Sequence, residues 1–97
     1  MLFVATLTHP LEMCLAREEF YEQFAQWHNG MDDLAEKLEI KIHGAYVNPN
    51  EHTFWFVLET EDFGNIAAFF DGIMLTNHDG RVSPVISLSE AERIHNL

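Results

Sequence analysis

His9, Cys14, His52 and His78 are the residues of this chain best suited to chemistry, because their types bind transition metals and they fall where sites are usually assembled. Each lies at the end of a predicted strand or on a segment joining strands to helices. Imidazole with thiolate is a ligand set that suits Zn, Ni or Cu. With a single cysteine no internal disulfide forms, so Cys14 is a packed thiol, a metal ligand or a nucleophile. As a nucleophile it would use His9 or His52 as base, since only the thiolate reacts and a neighbouring imidazolium lowers the thiol pKa. No tight ligand-spacing motif joins the four residues, and hydrogen-bonding histidines on a wet rim are the bland explanation of the same pattern.

The elements that would position them follow from periodicity. Residues 1–8 are apolar and β-branched, which predicts a central strand buried on both faces and stopped by His9-Pro10. From about Arg17, Phe20, Phe24, Trp27, Met31, Leu34 and Leu38 recur at helical spacing, with Asn29-Gly30 as an expected break. Ile40–Val47 and His52–Thr60 flank Asn48-Pro49-Asn50-Glu51, a connector of hairpin length. Asp62 is the expected N-cap of a second helix carrying Ile66, Phe69, Phe70, Ile73 and Met74 on one stripe. A turn over Thr76–Gly80 precedes a last strand, Val82–Leu88, whose Pro84 suits a sheet edge, and Ser89 with Glu92 reads as a capping box for a short C-terminal helix.

The order strand, helix, strand, strand, helix, strand over a single domain, residues 1–97, predicts an α+β, ferredoxin-like βαββαβ fold: a four-stranded antiparallel sheet with two helices on one face. In that topology the C-terminal end of the first strand lies beside the N-terminal ends of the third and fourth. His9, His52 and His78 then converge on one rim, with Cys14 nearby. Ile40, Ile42 and Tyr46 are expected to face the helices, leaving His43, Trp55, Val57 and Glu59 on the open face. An exposed apolar sheet face is usually an interface, so a homodimer through that face is expected.

The run Ile42-His43-Gly44-Ala45-Tyr46-Val47, the strand Thr53–Thr60, the acidic helix start Glu61-Asp62 and the strand Val82-Ser83-Pro84-Val85-Ile86 resemble small proteins of the dimeric α/β-barrel superfamily, and in particular its uncharacterised domains of about this length. The likeness covers nearly the whole chain in element order and is local at the hairpin and last strand. That superfamily includes cofactor-independent monooxygenases, muconolactone isomerases, haem-degrading enzymes, stress-responsive barrels and a nickel-binding group with a histidine in its hairpin. The resemblance therefore implies a dimeric α/β barrel, and it carries over one residue, His43, in a similar His-x-x-Tyr-Val context.

Composition narrows the partners. A formal charge of −11 with no basic cluster argues against nucleic acid and against anionic membrane surfaces. The N-terminal run lacks the basic start of a signal peptide and is too short to span a membrane, so a cytoplasmic protein is expected. No nucleotide cofactor is indicated. Of the aromatic residues Phe20, Phe24, Trp27, Phe54, Phe56, Phe69 and Phe70, most are expected in the core, whereas Tyr46 and Trp55, with His43, are expected to contact a ligand. The function expected is a small dimeric binding protein for a transition metal or small ligand at the His/Cys rim. The alternative is a cofactor-independent enzyme of monooxygenase or isomerase type, with His9, His43 or His52 moving a proton on an organic substrate held between sheet and helices.

Overall fold

Alternation of apolar side chains builds four strands, β1 (Leu2–Thr8), β2 (Lys41–Asn48), β3 (Thr53–Glu59) and β4 (Asp79–Val85). In the computed structural model, which describes residues 1–95, they form one antiparallel sheet in the order β2-β3-β1-β4. The fold is α+β with the strand order that βαββαβ connectivity requires. Phe3, Ala5 and Leu7 of β1 and Phe56 and Leu58 of β3 are buried on one face, while Leu2, Val4, Trp55 and Val57 on the other are only half-buried. The expectation that β1 is covered on both sides is therefore not met within one chain.

Helices cover the first face. The apolar stripe from Phe20 to Leu38 runs through α1 (Glu18–Asn29) and α2 (Met31–Lys37), broken at Gly30 as its sequence predicts. The second stripe is also divided, into α3 (Phe63–Phe69) and α4 (Ile73–Thr76), by Gly72 at φ 92°. That left-handed backbone is cheap for glycine and costly for any residue with a Cβ. Asp62 caps α3 by accepting from the Gly64 amide at 2.8 Å. The indole of Trp27 ties the two layers together: its Nε1 donates to the Phe69 carbonyl at 2.9 Å, and its ring meets Phe56 and Phe69 edge-on.

Three local expectations change. A β-bulge between Ile42 and Gly44 shifts the phase of β2, so Tyr46 stands opposite Trp55 on the open face instead of facing the helices. There its ring folds over Gly44, where an added Cβ would lie 2.5 Å from it. The last strand begins at Asp79 and ends at Val85, because Gly80 lets the chain approach Leu7 so closely that a Cβ would meet that side chain at 2.9 Å. Finally α5 (Leu88–His95) is capped by Ser87, whose Oγ accepts from the Glu90 amide at 3.1 Å, so Ser87 and not Ser89 opens the helix.

Candidate metal centre

β1 ends at Thr8, and its pairing with β3 is prolonged by one bond, from the His9 amide to the His52 carbonyl at 3.1 Å. Pro10 then stops the strand, and a 3-10 turn over Leu11–Met13 redirects the chain so that Leu15 is buried and Cys14 is half-buried. Asn77 pins this segment from the other side, donating to the Met13 carbonyl at 3.2 Å. His52 closes the hairpin turn. Asn48 Oδ1 accepts from the amides of Asn50 and Glu51, and His52 itself takes a left-handed conformation at φ 51°, ψ 43° before β3 begins. Left-handed backbone is uncommon for a residue with a Cβ, and His52 shares it with Glu39.

These constraints bring His9, Cys14 and His52 together. One ligand atom from each lies within 4.8 Å of the others. The rings of His9 and His52 are edge to face with centroids 5.1 Å apart, and His52 Nδ1 is 3.3 Å from His9 Nε2. The two nitrogens are within hydrogen-bonding distance, and the same separation of about 3.3 Å is that of two nitrogens bound at ~2.0–2.1 Å to one tetrahedral ion.

His78 approaches from the turn between α4 and β4 and stands behind His9. The Met74 carbonyl can only accept, so His78 Nδ1 donates to it, at 2.8 Å. The Nε2 of a neutral His78 is then an acceptor, and His9 Nδ1 donates to it at 2.9 Å. The proton positions along the chain are thereby fixed, and His9 Nε2 presents its lone pair towards His52 and Cys14. His78 thus lies outside the three-residue group and orients one of its members, the usual arrangement behind a metal-bound imidazole. Burial lowers the pKa of His9, with added repulsion from His78 and His52, and burial lowers that of His78 despite the hydrogen bond to Met74. Both stay neutral at pH 7, the state that ligates.

A cleft of about 430 Å³ opens onto the same atoms, walled by Tyr21 and Phe24 of α1, Val47 and Pro49 of the hairpin, and Phe54 and Leu15 below. Tyr21, Val47 and Pro49 carry no signal in the sequence that singles them out. The role of Met74 does have one, since a histidine four residues after a helical position can return to that carbonyl.

His43, Tyr46 and Trp55 are not part of this cluster. His43 Nε2 is 2.7 Å from Glu59 Oε1 on the open face, a contact that holds the Glu59 carboxyl below its ordinary range. Tyr46 is 61% exposed beside half-buried Trp55.

Among known families, residues 1–96 match the one described as Domain of unknown function (DUF3303). The chain belongs to this family. No curated protein matches it. The DUF3303 chain has no helix among its described residues long and apolar enough to cross a membrane.

Two expected results follow from the histidine chain. For an ion held by His9, Cys14 and His52, His78→Ala should weaken affinity about 10- to 100-fold while leaving those three residues in place, measured by competition with a coloured chelator. The second concerns acid. With His9 and His78 depressed in the folded state, the unfolded chain binds more protons just below about pH 6.5, so metal-free stability is full above that value and falls as pH drops through it. Urea unfolding at pH 7.5 and 5.5 checks this, and a His9→Ala/His78→Ala variant with an undiminished pH slope would refute it.

Proposed function

We propose that this DUF3303 protein binds one first-row transition metal ion, Zn, Ni or Cu, through His9 Nε2, Cys14 Sγ and His52 Nδ1. The observation that carries the reading is the 3.3 Å approach of two ring nitrogens, one of them aimed by the His78 hydrogen bond. Cys14 supplies the soft ligand that favours these ions over Mg or Ca. Three protein ligands leave a fourth position open, the pattern of a site that meets a second molecule instead of a closed structural one. Cobalt(II) reports directly on such a site. One equivalent should give an intense thiolate-to-metal band with tetrahedral visible bands, and Cys14→Ser should remove the former. Failure of the parent to show either would overturn the metal reading and favour the enzyme alternative, in which the same neutral imidazoles move a proton.

We also propose that a second copy of the chain covers the open sheet face. Leu2, Val4, Trp55, Val57 and Val85 form a half-buried apolar band there, bordered by the His43–Glu59 pair, Lys41 and Arg81. α5 supports the same partner: none of its residues is buried, Leu88 is 90% exposed, and the radius of gyration of 14.8 Å exceeds the ~12.5 Å of a compact chain of this length. Light scattering at micromolar concentration should give twice the chain mass, and Val57→Glu should halve it. A parent that runs as a monomer would refute the dimer.

A further inference from the structure

Resting on the metal reading above, we infer that the cleft beside His9, Cys14 and His52 binds an elongated apolar molecule whose single donor group completes the coordination of the metal. No Asp, Glu, Lys or Arg lines the cleft. Its lining is otherwise aliphatic and aromatic, and His9, Cys14 and His52 are among the residues that line it. A molecule with charges spread along its length would lose hydration there without replacement. A molecule with one polar head and an apolar body would not, because the head meets the metal and the body meets Phe24, Phe54, Val47 and Pro49. The volume of about 430 Å³ lies within the range of sites for small organic ligands.

The cleft and the metal also share supports. Phe54 forms part of the cleft floor, and its ring lies 6.2 Å from that of His9 and 5.4 Å from that of His78. Phe24 meets Phe54 from the helix side, with ring centroids 5.8 Å apart and planes tilted by 51°. The apolar wall therefore continues without interruption to the imidazole that would hold the ion. A bound divalent ion neutralised by one thiolate keeps a net positive charge, so it prefers a neutral or monoanionic donor such as a carboxylate, hydroxamate, alcohol or thiol. The ligand class is accordingly an alkyl or aryl chain bearing one such head.

The test uses the full-length cobalt(II) protein and n-alkyl hydroxamates from two to eight carbons, titrated by the visible bands of the metal. Affinity should rise about fourfold per methylene until the cleft is filled. Val47→Asp, which places a charge on the cleft wall at an exposed edge-strand position, should flatten that dependence and leave the thiolate-to-cobalt band unchanged. An intact band with affinity independent of chain length in the parent would overturn the inference while the metal reading stands. Absence of the band before any hydroxamate is added would remove the metal reading, and the inference with it. Equal chain-length dependence and affinity in the metal-free protein, titrated by calorimetry, would show that the cleft binds without the metal, and would overturn the anchoring role assigned to it.

Discussion

Zinc at a hundredfold excess over its dissociation constant should raise the unfolding free energy of this chain by about 2.7 kcal/mol, since an ion that binds only the folded state stabilises it by that amount. The double variant His9→Ala/His52→Gly should show no such gain. Glycine is chosen at position 52 because the backbone there is left-handed, with φ 51°, and glycine adopts that conformation without the cost borne by histidine. The metal-free double variant should therefore fold, which separates loss of ligation from loss of structure. His95→Ala, an exposed histidine of α5, should retain the full stabilisation. Calorimetry with and without zinc reads all three proteins. Equal stabilisation of the double variant would assign the binding to the acidic surface.

Phe69→Ala should have the largest effect on the fold itself. Phe69 is fully buried, with its ring centroid 5.4 Å from Trp27, 5.1 Å from Phe70 and 6.4 Å from Phe56. Truncating such a ring costs about 3–5 kcal/mol through lost transfer energy and the cavity left behind. Small domains hold only about 5–15 kcal/mol in total, so the loss consumes much of the margin and lowers the melting temperature by on the order of 15 °C or more. Phe63→Ala is the comparison. Phe63 opens α3 and is 54% exposed, so its removal should cost less than about 1 kcal/mol. Chemical denaturation of both variants settles the difference, and equal losses would contradict the packing described.

The meeting of His9 and His52 was legible in the sequence because it depends on topology alone, whereas Cys14 is placed by the 3-10 turn that follows Pro10. Once the order of elements is known, an antiparallel sheet leaves no freedom over which strand ends are neighbours. The face on which Tyr46 lies was not legible, because one bulged residue inverts side-chain alternation and nothing in Ile42-His43-Gly44 distinguishes a bulge from a regular strand. The start of β4 was missed for a related reason. Asp79-Gly80 has the composition of a turn, yet the glycine is used inside the strand for its lack of a side chain against Leu7. The rank of His78 behind His9, instead of beside it, turns on the Met74 carbonyl, a contact that the spacing from Met74 to His78 permits but does not require.

The separation of the ligands along the chain has a kinetic consequence. His9 and His52 are 43 residues apart, and His9 and His78 are 69 apart. They approach only when β1 has paired with β3 and β4 has docked beside it, contacts of long range that close late and slowly. His9 and Cys14 are near neighbours in sequence, but the distant His52 would join them at an ion only after that pairing, unlike the ligands of a zinc finger, which lie close together along the chain. An ion held there would arrive at a finished sheet and act as a latch, retarding the unfolding step and leaving the rate of folding as it was.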